Sequence, residues 1–177
     1  YCDNRLILSA PAVRTRVEQA LAAAVKENYG EAEMLMGTAT AGIAHAALAA
    51  GELGLPMGYV RGGAKDHGRG NRIEGELRPG TKVVVVEDLI STGGSVLECV
   101  EALREAGAEV LGIAAIFTYG MKKGKERLTA AGVPLVTLTD FDTVAAMAEE
   151  TGLIAPSDVR KLLAFRDHPA DSAWMEA

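Results

Sequence analysis

Apolar positions along the chain follow two periods in turn. Short runs such as EMLMG (33–37), PMGYV (56–60), KVVVV (82–86), VLGIAAIF (110–117) and PLVTL (134–138) are nearly continuous in apolar or β-branched residues, the pattern of strands buried on both faces. Between them, apolar positions recur every three to four residues. Val13, Val17, Leu21, Ala24 and Val25 predict a helix opened by Ser9 and Pro11 and stopped by Gly30. An Ala-rich helix is expected after the small-residue turn GTATAG (37–42) as far as about Ala50, and another, with Val96, Val100 and Leu103 on one face, as far as Gly107. Helices are also expected over 122–131 and 143–150. After Pro156 the periodicity fades, and Val159, Leu162, Leu163 and Phe165 leave room for one last short helix. Strands alternating with helices in this way predict an α/β fold, a central parallel sheet of about five strands flanked by helices, in a single domain over 1–177.

Composition narrows the class. With 49% hydrophobic but only 5% aromatic residues in 177, the core must be built mainly from Ala, Val, Leu and Ile, as in helices packed on a sheet. The net charge of −6 argues against a general nucleic-acid binder, whose affinity rests on neutralising phosphates. No apolar run reaches the roughly 20 residues of a membrane span, and no signal segment opens the chain. Cys2 and Cys99 share no metal or redox spacing, so a reducing cytoplasm is the expected location. The first residues, YCDNR, read as the middle of a longer segment, and residues upstream are expected.

The chemistry concentrates in three loops that a parallel sheet would gather in one crevice, beyond the carboxyl ends of its strands. VVVVEDLISTGGS (83–95) runs from four valines into Glu87 and Asp88 and then into hydroxyls and glycines. Backbone N–H groups of Gly93, Gly94 and Ser95 at a helix start can cradle a phosphate, with the Ser91 and Thr92 hydroxyls beside them. Two carboxylates would repel that phosphate unless the ligand also carries vicinal hydroxyls or a metal, so a phosphorylated sugar is the best fit. The plainer alternative has Ser91 capping the helix and the acids solvated in a turn. RGGAKDHGRGNRIEG (61–75) places Arg61, Lys65, Arg69 and Arg72 against only Asp66 and Glu74 in an acidic chain. Its length and glycines suit a loop that closes over an anion, or else an ordinary solvated loop. GTATAG offers amides and hydroxyls at a third helix start, where small residues could equally serve close packing. His45 on the following helix reads as structural, and Cys99 as core.

These motifs resemble those of the type I phosphoribosyltransferases. The run 83–95 is similar to that family's signature for 5-phosphoribosyl 1-pyrophosphate (PRPP), and AKDHG (64–68) to the mobile catalytic loop of its orotate-using branch; YCDNR resembles an early segment of the same branch. The resemblance implies that Glu87 and Asp88 hold the ribose hydroxyls, that Leu89 and Ile90 also contact PRPP, and that Ser91, Thr92, Gly93, Gly94 and Ser95 bind the 5-phosphate. Ser91 would also touch orotate. Arg61, Lys65 and His67 would engage pyrophosphate, with Lys65, Asp66 and His67 as the catalytic residues, and Thr38, Ala39 and Thr40 as a pyrophosphate loop. Mg2+ would arrive with PRPP, with Asp88 as its one candidate protein contact. A homodimer is implied, the Lys65 loop reaching the neighbouring site, with an N-terminal hood segment cut short here. The pattern is not complete. Ala41 stands where many members carry Lys, Gly62 where some carry Lys, and Tyr119 near a position that is often Arg, so Arg5 and Lys122 are both candidates for the orotate carboxylate. Transfer to another base, and a PRPP-sensing regulator without turnover, are the competing expectations.

Overall fold

The computed structural model describes residues 2–62, 72–172 and 174. A 3-10 helix, Asn4–Ser9, precedes α1 (Pro11–Asn28), and the order then runs β1 (Met34–Thr38), α2 (Ala41–Leu53), β2 (Met57–Val60), β3 (Ile73–Glu74), β4 (Lys82–Ile90), α3 (Gly94–Glu105), β5 (Glu109–Thr118), α4 (Lys122–Ala130), β6 (Leu135–Asp140), α5 (Phe141–Glu150) and α6 (Pro156–Asp167). The sheet order is β3-β2-β1-β4-β5-β6. All neighbours are parallel except β2 and β3.

The period of two along the strands sorts the core into two halves. Met34 and Met36 of β1 and Val83 and Val85 of β4 face one side, where they pack with Val96, Val100 and Leu103 of α3 and Leu128 of α4. Leu35, Val84 and Val86 face the other, against Leu21 and Val25 of α1 and Ala46 and Ala49 of α2. A strand covered on both faces has no polar face to expose, which is why 83–86 are four valines, all fully buried. The small residues bring layers close. A Cβ on Gly112 of β5 would lie 2.5 Å from the Tyr29 ring, whose hydroxyl donates to the Ile113 carbonyl at 3.1 Å.

Two expectations are corrected. The sheet has six strands rather than about five and is mixed, because residues 73–74 inside the expected loop pair antiparallel with β2 (Tyr59 with Glu74, Val60 with Ile73). The third expected strand, 82–86, continues to Ile90, pairing with β5 as far as Thr118. Acidic residues are poor strand formers, and that local preference ends the expected strand too early; tertiary pairing outweighs it. The last short helix expected after Pro156 is present as α6, started by Pro at its first turn and by the Asp158 carboxylate accepting from the Ala155 N–H at 3.3 Å.

Candidate active site

The strand order reverses between β1 and β4, the place where parallel sheets bind ligands. There, at the carboxyl ends, lies a cavity of about 320 Å³ lined by Cys2, Asp3, Arg5, Ala39, Thr40, Ala41, Glu87, Asp88, Leu89, Ser91 and Ser95. A larger hollow of about 470 Å³ at the other end of the sheet is walled by Tyr29, Leu111, Pro134, Leu135 and Val136. Its one carboxylate, Glu31, is already held by Lys82. The chemistry therefore points to the smaller cavity.

Its first wall is the β1–α2 turn. A Cβ on Gly42 would fall 2.4 Å from the Val86 carbonyl, so only glycine lets the start of α2 press against the end of β4. Both roles open to GTATAG are thus present, close packing at Gly37 and Gly42 and a helix start at the cavity. Donors are fewer than the sequence suggests. The Thr38 hydroxyl donates to the Val86 carbonyl at 2.9 Å and the Ala39 N–H to the Val60 carbonyl at 3.0 Å, since Thr38 ends β1 and Ala39 follows it directly beside β2. Thr40, the N-cap of α2, and Ala41, its first residue, line the cavity. α2 begins without a side-chain cap.

The second wall is β4 and the turn after it. Glu87 is 6% exposed, and its Oε1 accepts the Asp88 N–H at 2.9 Å. Burial first, and then the adjoining Asp88 carboxyl, push Glu87 up to about 8. Behind it, burial and next the Glu87 charge push the Cys99 thiol up to about 12, which keeps it inert in the core. Ile90, expected among the ligand contacts, turns into the core at 2% exposure, while Leu89 lines the cavity: adjacent strand residues face opposite ways. α3 is capped by Gly93 at φ +73°, without any side-chain cap. Ser91 therefore does not cap the helix, and the Ser91 and Ser95 side chains line the cavity instead.

Two contacts have no signal in the sequence. Asn4, 7% exposed, donates from Nδ2 to the Asp88 carbonyl at 2.7 Å, and its Oδ1 accepts from the Cys2 thiol at 3.1 Å. The Tyr119 hydroxyl accepts the Cys2 N–H at 3.0 Å, its ring edge-on to Phe117 with centroids 5.1 Å apart. Asn4 and Tyr119 thus stitch the segment 2–5 to the strand that carries the acid pair. Of the two candidate cations for a carboxylate, Arg5 lines the cavity, paired with Asp3 at 2.8 Å. Lys122 lies on α4 beside Glu126 at 3.8 Å, largely exposed, and is not among the lining residues. Arg61 follows β2, paired with Glu74 at 3.3 Å, and its N–H donates to the Arg72 carbonyl at 2.8 Å, so β2 and β3 close the base of the glycine-rich loop. Lys65, Asp66 and His67 lie outside the described residues.

The phosphoribosyl transferase domain family matches residues 5–146. Orotate phosphoribosyltransferase of Bacillus cytotoxicus is 55% identical over all 177 residues, which span 84% of that protein, and that of Bacillus cereus is 54% identical with the same coverage. Among solved structures, orotate phosphoribosyltransferase from Aeropyrum pernix superposes with a TM-score of 0.77 at 30% identity, over 88% of this chain and 85% of that one. UMP synthase of Leishmania donovani gives 0.82 at 26% identity over 94% of this chain, which spans 35% of that larger protein. An adenine phosphoribosyltransferase from Leishmania tarentolae, at 19% identity and a TM-score of 0.62, shares the fold. The chain belongs to the phosphoribosyl transferase family, in its orotate phosphoribosyltransferase branch.

Proposed function

We propose that the protein transfers the 5-phosphoribosyl group of PRPP to orotate, giving orotidine 5'-monophosphate and pyrophosphate, a step of pyrimidine biosynthesis. The observation that carries this reading is the acid pair Glu87–Asp88 at the end of a strand flanked by two helix starts without side-chain caps, α2 and α3. Each helix start favours an anion, and the acids between them favour hydroxyls. PRPP has that distribution: phosphate at one end, pyrophosphate at the other, ribose diol between. The α3 turn from Ser91 to Ser95 takes the 5-phosphate, the α2 turn the pyrophosphate, and Glu87 and Asp88 the two ribose hydroxyls.

The orotate ring nitrogen attacks the anomeric carbon as the bond to pyrophosphate breaks, and positive charge builds on the ribose. The chain's part is to fix both partners and to stabilise the departing anion with the cations of the 61–72 loop, Lys65 foremost, with Asp66 and His67 beside it. Arg5 is the described cation placed to meet the orotate carboxylate. Magnesium carried by PRPP neutralises pyrophosphate charge when bound. Asp88, one of the carboxylates lining the cavity, is the residue that would contact that magnesium.

The test is pyrophosphate release with magnesium, PRPP and a panel of bases. Release with orotate, and not with adenine, hypoxanthine or uracil, is expected. Turnover of another base instead would reassign the acceptor, and absence of turnover with every base would favour a PRPP sensor.

A further inference from the structure

The helix α4 backs the phosphate loop. One face of α4 meets it residue by residue. A Cβ on Gly124 would lie 2.6 Å from the Ser91 carbonyl oxygen, so backbone meets backbone there. Arg127 donates from Nη1 to the Thr92 carbonyl at 3.3 Å. Leu128 lies against Gly93, where an added Cβ would sit 3.8 Å from the leucine Cγ. Positions 124, 127 and 128 share a helix face by their spacing of three and four. None of the three lines the cavity, whereas Ser91 and Ser95 do, so the loop lies between α4 and the ligand.

Peptide planarity turns this into a statement about donors. In a trans peptide the C=O of one residue and the N–H of the next point in opposite directions. Holding the Ser91 and Thr92 carbonyls toward α4 therefore aims the Thr92 and Gly93 N–H groups away from α4, the side of the loop opposite that helix, where Ser91 and Ser95 line the cavity. We infer that α4 is the positioning element of the phosphate loop, with Gly124 and Arg127 as residues that orient its amides for the sugar phosphate without touching it. The inference rests on the reading of 91–95 as the 5-phosphate site. Gly124 is required because any side chain would push Ser91 out of place. Arg127 matters because a carbonyl held by a charged donor resists rotation of its peptide.

The experiment measures ribose 5-phosphate affinity by calorimetry, and KM for PRPP, in Gly124→Ala, Arg127→Ala, Arg127→Lys and, as a control on the exposed side of the same helix, Glu126→Ala. The expected result is a loss of about tenfold or more in Gly124→Ala and about three- to tenfold in Arg127→Ala, both in affinity and in KM for PRPP. At saturation kcat and KM for orotate should change less than about threefold. Arg127→Lys should recover part of the loss, and Glu126→Ala should match the wild type. General destabilisation would lower the active fraction, and so apparent kcat, without this split. Wild-type affinity in a folded Gly124→Ala and in Arg127→Ala overturns the inference while leaving the transferase reading intact. If Gly124→Ala does not fold, Arg127→Ala alone decides. Equal loss in Glu126→Ala also overturns it, and a wild type that does not bind ribose 5-phosphate overturns both readings.

Discussion

Glu87 shows how position changes the meaning of a residue. In the sequence it is one of two adjacent acids after a run of valines; in the fold it is a carboxyl 6% exposed, with its pKa pushed up to about 8 by burial and by Asp88. Its ordinary value is 4.5, so across the interval from about 4.5 to 8 the folded state keeps a proton that the unfolded chain releases. Stability must then fall as pH rises through that window and level off above it. Glu87→Gln removes the effect. In the absence of PRPP and magnesium, the stability of the variant relative to the wild type should grow from pH 5 to pH 8, by on the order of a few kcal/mol. Denaturation curves at several pH values measure this, and a constant difference would show that Glu87 holds no proton in the fold. Lys65 is the contrasting case, proposed from its motif and lying outside the described residues. Lys65→Ala should lower turnover by about 100-fold or more with the fold intact, as when other donors to a transition state are removed. Unchanged turnover would remove Lys65 from the mechanism.

At the scale of elements, helices and strand cores are legible in the sequence and their ends are not. The period of α1 and the valines of β4 survive any tertiary context, because each depends on a face being buried. Ends depend on partners: Ile90 belongs to β4 because Thr118 pairs with it, and Ile73 forms a strand because Val60 is beside it. His45 reads as structural from the sequence, and the fold supplies the reason. It is fully buried on α2, with Nδ1 2.8 Å from Glu18 Oε1 on α1, joining the helix that carries the β1–α2 turn to its neighbour. Among the described residues His45 Nε2 and Glu18 Oε2 have no partner, so the pair has little to spare. Removing one member, as in Glu18→Ala or His45→Ala, should cost about 3–5 kcal/mol in urea unfolding, because the other is left buried and unpaired. Replacing both by Leu should cost far less. A double-variant loss as large as the sum of the two single losses would show that the pairing itself contributes nothing.

At the scale of the molecule, the proposed homodimer makes a claim that single variants cannot test. If the Lys65 loop serves the neighbouring site, Lys65→Ala and Asp88→Ala are defects in different halves of one shared site. Mixing the two inactive proteins and allowing subunits to exchange should then restore up to about a quarter of wild-type activity, since half the dimers carry one intact site. No recovery despite exchange would place the loop in its own subunit's site. Among the described residues no helix is long and apolar enough to cross a membrane. The sequence alone determined the α/β class, the two-sided burial of the central strands and the phosphate-loop motif, because periodicity and short motifs are local properties that burial makes compulsory. Only the tertiary structure decided the strand order, the antiparallel β3, the turning of Ile90 into the core, the placing of Arg5 rather than Lys122 at the cavity, and the backing of the phosphate loop by α4. Each of those depends on contacts between residues far apart in the chain, which a spacing pattern does not encode.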